Sequence, residues 1–205
     1  MLLKLVEKLK RGGVKNLVDA RIEEFKKNIK KSSEEIFKEL CFCILTANFN
    51  AERSIRIQNE LGDKFLTLSQ TQLRDELKKL GYRYPNLRAK YIVKARKYKG
   101  SLKSIVESSD DHELREWLVK NVKGIGYKEA SHFLRNIGYT NFAIVDFHIL
   151  NLLERYNLIK KPKSLTKKEY LRIENLLRKI AKKLDLNLAE LDLYLWYLET
   201  GKILK

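Results

Sequence analysis

The amino-acid sequence predicts an all-helical protein. Apolar residues recur at a period of about 3.6 in nearly every segment, which is the repeat of an amphipathic helix. The alternation of apolar and polar residues that marks a half-buried strand is almost absent. With 205 residues, 44% of them hydrophobic, the chain is long enough to bury a core as one domain or as two small ones.

Three predicted helices begin with a capping box, in which a hydroxyl residue is followed three positions later by Glu or Gln. The pairs are Ser32 with Glu35, Ser69 with Gln72 and Thr166 with Glu169. The first of these helices is expected in the core, because it has one broad apolar face made of Ile36, Phe37, Leu40, Cys41, Ile44 and Leu45. The second stops at Gly81, and Pro85 suits the first position of the next helix. Further helices fit residues 14–30, 51–61, 86–99, 112–121, 127–137, 147–157 and 189–199.

The charge of the chain points to a polyanionic partner. Lysine and arginine number 43 against 26 acidic residues, a formal net charge of +17, which suits nucleic acid or an anionic membrane surface. The run MLLKLVEKLKRGG is too short and too interrupted for a signal peptide, and no window approaches about 18 apolar residues. We therefore expect an intracellular protein, cytoplasmic or associated with the nucleoid.

The two cysteines, Cys41 and Cys43, form a C-x-C pair inside an apolar helical run. This placement predicts buried thiols rather than a disulfide framework. Two cysteines cannot by themselves ligate an iron–sulfur cluster.

The segment KGIGYKEASHFL, residues 123–134, predicts a helix-hairpin-helix. A helix ending near Val122, the turn Lys123-Gly124-Ile125-Gly126 and a second helix from Tyr127 would form it. The glycines would supply positive φ and let backbone N–H groups approach an anion such as a DNA phosphate. An αα-corner that uses the glycines for geometry alone is the other interpretation.

Lys128 and Asp146 are the candidate reactive residues. Lys128 lies in the first turn of its helix, where the helix dipole disfavours the ammonium form and so favours a nucleophilic amine, although a solvated lysine is the simpler interpretation. Asp146 lies where a new helix should begin and suits an N-cap. A carboxylate held there would stay ionised, and opposite an amine it could assist deprotonation and stabilise an oxocarbenium-like sugar. His148 would contact phosphate or lie on the surface.

The runs KGIGYKEASHFLRNIGY and AIVDFHIL resemble the helix-hairpin-helix/Gly-Pro-Asp superfamily of DNA glycosylases, and especially its compact archaeal-type 8-oxoguanine DNA glycosylase/AP lyase branch. LCFCILTAN, YRYPNLRAKYI and LDLYLWYLETGKILK are similar to that branch too, so the resemblance extends over most of the chain. Three residues depart from the superfamily pattern. Ile144-Val145 stands where the superfamily has Gly-Pro, and Phe147 stands where an arginine is expected.

The resemblance implies a bifunctional enzyme of base excision repair that excises 8-oxoguanine. Lys128 would attack C1′ and form a Schiff base, and Asp146 would activate Lys128 and stabilise charge on the sugar. Lys123, Gly124, Ile125, Gly126 and His148 would bind DNA phosphate, and the carbonyl oxygens of Lys120, Val122 and Ile125 would hold Na⁺ or K⁺. No other cofactor and no iron–sulfur cluster is expected. The partner would be double-stranded DNA containing an oxidised purine, with no membrane involved, and the chain would be a monomer.

Recognition of the flipped base calls for aromatic faces beside a pocket. The resemblance assigns this role to Tyr84 and Trp196, and it adds the C-terminal Lys205 as part of the base reader. From the residues alone, Tyr84 before a proline equally suits a turn, and Trp196 on an apolar helix equally suits a core.

The resemblance also implies two helical lobes with the helix-hairpin-helix at the cleft between them. Residues 34–139 would form one lobe, ending in the hairpin, and residues 1–33 with 140–205 would form the other, which carries Asp146 and the C-terminal tail. Endonuclease III-like relatives usually carry a four-cysteine cluster near the C-terminus, and no cysteine follows residue 43 here. Relatives that use water as nucleophile lack the hairpin lysine, so Lys128 favours a glycosylase/lyase.

Three other interpretations remain open on the sequence. The chain could be a non-catalytic helix-hairpin-helix DNA-binding protein, or a glycosylase/lyase for a different oxidised base. It could also be a helical module that binds another protein or an anionic membrane surface, in which case lesions in DNA would not affect binding.

Overall fold

The computed structural model describes all of residues 1–205, and these contain helices and no β-strand. This confirms the all-helical prediction. Thirteen α-helices follow one another with a short 3₁₀-helix at Arg96–Tyr98: α1 Leu2–Lys10, α2 Val14–Asn28, α3 Ser33–Thr46, α4 Ala51–Leu61, α5 Lys64–Thr67, α6 Gln70–Lys79, α7 Pro85–Ala95, α8 Leu102–Ser108, α9 Asp111–Asn121, α10 Tyr127–Asn136, α11 Phe147–Arg155, α12 Lys167–Lys183 and α13 Leu188–Thr200. No helix combines the length and the hydropathy needed to cross a bilayer.

Three of these helices, α1, α5 and α8, do not follow from the sequence reasoning. They have nine, four and seven residues. Each buries only one or two side chains, such as Leu2 and Val6 of α1. With so few buried positions, these segments give little apolar periodicity to recognise.

The chain divides into two compact units. The terminal unit comprises Met1–Lys27 and Leu134–Lys205, and the middle unit comprises Asn28–Phe133. The boundary after Phe133 falls within α10. The lobe boundaries predicted from the sequence lie at residues 34 and 139 instead.

The core of the middle unit is built around α3. Apart from Lys38, every residue of α3 from Ile36 to its end at Thr46 is buried, and α3 packs against α4, α5, α7 and α8. Cys41 and Cys43 are fully buried and form no disulfide, as the sequence predicts. Burial raises the pKa of the Cys41 thiol well above its usual value, so this thiol stays protonated.

The core of the terminal unit is built around α13, which packs against α1, α11 and α12. It encloses an ion pair between Arg135 and Asp192, whose side chains are both almost fully buried. The amide oxygen of Asn136 accepts from Nε and Nη2 of Arg135 at 3.1 and 2.9 Å, and the guanidinium lies 5.0 Å from the ring centroid of Phe25. The guanidinium of Arg135 thus pairs with the carboxylate of Asp192 and donates two hydrogen bonds to the amide oxygen of Asn136.

The three predicted N-cap residues all cap their helices, and one of the three predicted capping boxes is complete. Ser69 and Gln72 form both halves of a capping box, while the hydroxyls of Ser32 and Thr166 accept the N–H groups of Glu35 and Glu169 at 3.2 and 3.3 Å. Pro85 is the first residue of α7. These caps explain why α3, α6 and α12 begin where they do.

The turn between α9 and α10 is the predicted hairpin. Gly124 has a φ of +88°, and a Cβ there would lie 2.4 Å from Cδ2 of Tyr91 on α7. Only Gly124 adopts the left-handed conformation; the expectation that Gly126 does so too is wrong, because Gly126 caps α10 and its carbonyl accepts the N–H of Ala130 at 2.9 Å. The buried side chains of Val122 and Ile125 anchor the two ends of the turn.

Replacing Gly124 with alanine should cost more stability than left-handed strain alone, because the new Cβ would overlap the ring of Tyr91. We expect a loss of about 3 kcal/mol, against about 1 kcal/mol for Gly201→Ala. Gly201 is the matched control, since its φ is +70° and a Cβ there would meet nothing within 4 Å. Chemical denaturation of both variants measures the difference. Equal losses would contradict a rigid contact with Tyr91.

Asp192 should make folding stability fall as the pH rises from about 4 to about 6. Burial raises the pKa of Asp192 from 3.8 to about 6, the nearby carboxylate of Asp146 adds to the rise, and Arg135 opposes it. The folded state therefore holds a proton in this interval that the unfolded state has lost, so the contribution present below pH 4 is lost as the pH passes 6.

The variant Asp192→Asn isolates this effect, because an amide does not titrate. The free energy of unfolding of the wild type minus that of the variant should decrease by on the order of 2 kcal/mol between about pH 4 and pH 7. Denaturant titrations at fixed pH measure it. A difference that is constant with pH would contradict the assignment to Asp192.

Candidate functional site

Lys128 lies in the first turn of α10, directly after the hairpin. Its Nζ is 3.0 Å from Oε1 of Glu129, and the two side chains are 25% and 13% exposed. The sequence reasoning considered the helix dipole and Asp146, and it did not include this ion pair with Glu129.

The second oxygen of Glu129 holds the hairpin itself. Oε2 accepts the backbone N–H of Gly126 at 3.1 Å. One carboxylate therefore contacts both the turn and Lys128. The sequence reasoning missed Glu129, although a glutamate three positions after a helix-capping residue is a recognisable signal for this bond.

A buried arginine lies beneath the hairpin turn. Arg88 on α7 is 6% exposed, and its Nη1 lies 3.2 Å from the position of a Cβ built on Gly124. Its Nη2 donates to the carbonyl oxygen of Ala47 at 2.8 Å, and its Nε has no hydrogen-bond partner. None of its contacts is a carboxylate. A buried guanidinium without a counter-ion makes the potential at the turn positive, which favours an anion such as phosphate.

The outer surface of the hairpin carries further positive charge. Lys120 at the end of α9 and Lys123 in the turn are exposed. The carbonyl oxygen of Val122 accepts the N–H of Ile125 at 3.2 Å. That oxygen has a second lone pair, which can bind a small cation.

Asp146 is the N-cap of α11, as the sequence predicts. Its Oδ1 accepts the N–H of Ile149 at 2.9 Å, and its backbone is extended. The bond holds one carboxylate oxygen at the positive end of the helix, where an anion is stabilised. Oδ2 makes no hydrogen bond within the chain, so it is the oxygen available for chemistry.

An aromatic cluster follows Asp146 in the terminal unit. The rings of Phe147 and His148 have centroids 3.8 Å apart, and His148 meets the ring of Trp196 on α13 edge-on at 5.0 Å. Phe147 is 61% exposed, whereas Nε1 of Trp196 is buried without an acceptor. Trp196 is therefore half-buried, so part of its ring packs in the core and part is accessible.

Tyr84 belongs to the middle unit and Lys205 to the terminal unit. Tyr84 is the exposed residue just before α7, and the guanidinium of Arg83 lies 5.0 Å from its ring centroid. Lys205 is half-buried at the end of the tail that follows Gly201, the left-handed cap of α13.

The structure thus gathers the predicted site residues into one group in each unit. In the middle unit, the hairpin from Lys123 to Gly126 and Lys128 are joined by Glu129 and by Arg88. In the terminal unit, Asp146, His148 and Trp196 lie around the start of α11. No group of three or more His, Cys, Asp or Glu residues is arranged to hold a metal ion.

Arg88 and Tyr91 are functional candidates that the sequence reasoning missed. They lie one turn apart on α7, and the hydrogen bond from Arg88 to Ala47 spans 41 residues of sequence. No local sequence pattern predicts such a contact. The alternation of aromatic and basic residues in GYRYPNLRAKY is the only signal that points to this segment.

The chain matches known proteins along its whole length. The family model described as 8-oxoguanine DNA glycosylase matches residues 18–186. An 8-oxoguanine DNA glycosylase/AP lyase of Methanocaldococcus jannaschii is 57% identical over 207 residues, which cover 100% of each chain. A protein of the same name from Korarchaeum cryptofilum is 54% identical over 202 residues, which cover 98% of this chain and 96% of the other.

A solved structure agrees with this match in three dimensions. The crystal structure of the Methanocaldococcus jannaschii 8-oxoguanine glycosylase/lyase in complex with 15mer DNA containing 8-oxoguanine superposes with a TM-score of 0.97, at 56% identity and with 100% of both chains covered. Identity and coverage of this order show common descent as well as a common fold. The chain therefore belongs to the 8-oxoguanine DNA glycosylase family.

Proposed function

We propose that the chain excises 8-oxoguanine from double-stranded DNA and then nicks the strand as an AP lyase, with Lys128 as the nucleophile. The observation that carries the proposal is the position of Lys128, a partly buried amine in the first turn of the helix that follows the Gly124 hairpin. The relatives of the chain support it, since they are named 8-oxoguanine DNA glycosylase/AP lyase.

The covalent steps require one free amine. The neutral amine of Lys128 forms a bond to C1′ as the C1′–N9 bond breaks, and the base leaves with that electron pair and takes up a proton. Opening of the C1′–O4′ bond gives a protonated imine and a hydroxyl on C4′. Loss of a proton from C2′ then expels the phosphate from C3′, which nicks the strand 3′ to the lesion. One water hydrolyses the imine and returns Lys128.

Asp146 is the carboxylate that assists these steps. Its Oδ1 is committed to the cap of α11, so Oδ2 would accept the ammonium proton of Lys128. Its negative charge would also stabilise the positive charge that develops on the sugar as the base leaves. The partner carboxylate of the reaction is thus already oriented by the backbone before DNA binds.

The hairpin binds the phosphate backbone near the lesion. Lys123, Gly124, Ile125 and Gly126 would surround one phosphate, and His148 would approach another at the start of α11. Two observations support this assignment, the exposed side chain of Lys123 and the buried charge of Arg88 beneath Gly124. A monovalent cation, Na⁺ or K⁺, would fit the carbonyl oxygens of Lys120, Val122 and Ile125 and would bridge them to the phosphate. No other cofactor enters the proposal.

The flipped base is read by aromatic faces and by the tail. Trp196 is held edge-on by His148 and would present its accessible face to the base, while Tyr84, exposed at the start of α7, would stack on bases left in the duplex. Lys205, half-buried at the end of the tail, would contact the oxidised purine. The chain would act as a monomer on chromosomal DNA in the cytoplasm, without a membrane.

The variant Lys128→Gln should lose the covalent step and keep most DNA binding, because the amide cannot form an imine. Borohydride trapping on a duplex with one 8-oxoguanine opposite cytosine should give a covalent protein–DNA band for the wild type and none for the variant. An undamaged duplex and one that carries an oxidised pyrimidine are run in parallel. A stronger band on the pyrimidine lesion would favour a glycosylase/lyase for that base.

Two other results would contradict the assignment of Lys128. Undiminished trapping by Lys128→Gln would show that another amine is the nucleophile. If the wild type gave no band and bound both duplexes alike, with affinity that falls steeply with salt, the hairpin would serve only to bind phosphate.

The variant Asp146→Asn should slow base excision strongly while the fold is largely kept. The amide oxygen can still accept the N–H of Ile149, so the melting temperature should stay within a few degrees of the wild type. Loss of a positioned general base is worth about 10²–10⁴ in rate. Single-turnover excision and thermal melting are the measurements, and a variant as fast as the wild type would remove Asp146 from the mechanism.

A further inference from the structure

Glu129 makes two contacts that the proposed reaction does not use. Its Oε2 accepts the N–H of Gly126 at 3.1 Å, and its Oε1 lies 3.0 Å from Nζ of Lys128. The side chain is only 13% exposed, so little water screens either contact. In the DNA-free chain, one carboxylate thus occupies the amide at the hairpin and also holds the ammonium ion of Lys128.

A DNA phosphate at the hairpin would compete with Glu129. Both are anions, and both can accept hydrogen bonds from the N–H groups at the start of α10. Two anions at one amide repel each other, so the phosphate would bind best once Glu129 has withdrawn. Arg88 beneath Gly124 and the exposed Lys123 favour the phosphate, because each adds positive charge to the turn.

The ion pair with Glu129 also opposes the chemistry of Lys128. Attack at C1′ requires an amine that is free to reach the sugar, whereas this contact holds Nζ of Lys128 beside the carboxylate of Glu129. Loss of the contact would therefore free the amine to move toward the sugar.

We propose that Glu129 is a positioning residue that restrains Lys128 in the DNA-free chain and releases it when a DNA phosphate takes the N–H of Gly126. The inference rests on the proposed function, because it takes Lys128 as the nucleophile. Release breaks one hydrogen bond and one ion pair and no covalent bond.

A purely structural role for Glu129 predicts different behaviour. Its position three residues after Gly126 is that of a capping-box glutamate, which needs only an oxygen that accepts the N–H. A glutamine still supplies that oxygen, and it removes the negative charge that pairs with Lys128. The variant Glu129→Gln therefore separates the cap from the restraint.

Other charged groups surround this turn, and one of them provides a control. They are Glu116 of α9, which accepts the hydroxyl of Tyr127, Arg115 of α9, which lies 5.3 Å from the ring of Tyr127, Arg88 of α7 and Lys123. Glu116 does not contact Lys128. The variant Glu116→Gln thus removes one negative charge near the hairpin without changing the ion pair of Lys128.

The test is the rate of imine formation on a duplex with a preformed abasic site, followed by borohydride trapping in single turnover between about pH 5.5 and pH 9. Glu129→Gln should form the imine about threefold faster than the wild type, because release of Lys128 from a partly exposed ion pair is worth a factor of that order. Glu116→Gln should follow the wild-type profile, and Glu129→Asp, which keeps the charge, should return toward it.

Two outcomes would overturn the inference. If Glu129→Gln were slower than the wild type at every pH, Glu129 would be a required base and not a restraint. If its pH profile matched those of the wild type and Glu116→Gln, Glu129 would only cap α10. Failure of the proposed function looks different, because the wild type itself would then give no trapped complex or Lys128→Gln would still give one.

Discussion

The contact between Gly124 and the ring of Tyr91 is the constraint on which the hairpin depends. The left-handed backbone at Gly124 turns the chain between α9 and α10, and the missing side chain lets the ring lie directly beneath the turn. Arg88, one turn earlier on α7, is brought under the same glycine. A buried charge without a counter-ion is costly, and an anion at the turn would lower that cost. The packing of α7 and the electrostatics of the hairpin therefore cannot be separated.

Glu129 makes two contacts at the start of α10. It caps the helix by accepting the N–H of Gly126, and it pairs with Nζ of Lys128. The residue that stabilises α10 is therefore also the one that holds the candidate nucleophile. In the proposed mechanism, displacement of Glu129 by a DNA phosphate would release Lys128.

Asp146 combines two roles without conflict. Its bond to the N–H of Ile149 starts α11 and fixes one carboxylate oxygen, which leaves the other oriented. The helix it starts packs against α13, where the buried pair of Arg135 and Asp192 lies one turn before Trp196. Asp192 carries its charge at an energetic cost, since burial raises its pKa to about 6. The terminal unit thus holds its candidate site on a polar core that is sensitive to pH.

Much of this protein follows from the sequence because the signals are local. Helical periodicity, the caps at Ser32, Ser69 and Asp146, the buried cysteines and the hairpin between Val122 and Tyr127 each depend on residues within a few positions of one another. The all-helical fold and the family follow from the same runs. The roles of Lys128 and Asp146 stay predictions, because they concern a reaction with DNA.

Only the tertiary structure shows what surrounds these residues. Arg88 lies beneath Gly124, Tyr91 excludes a side chain there, and Arg135 meets Asp192 across 57 residues of sequence. The hydrogen bond from Gly126 to Glu129 is local in sequence. The ion pair with Lys128 depends in addition on the side-chain conformations of both residues. Sequence periodicity specifies which face of a helix is apolar, whereas the position of a buried charge depends on which helices pack together.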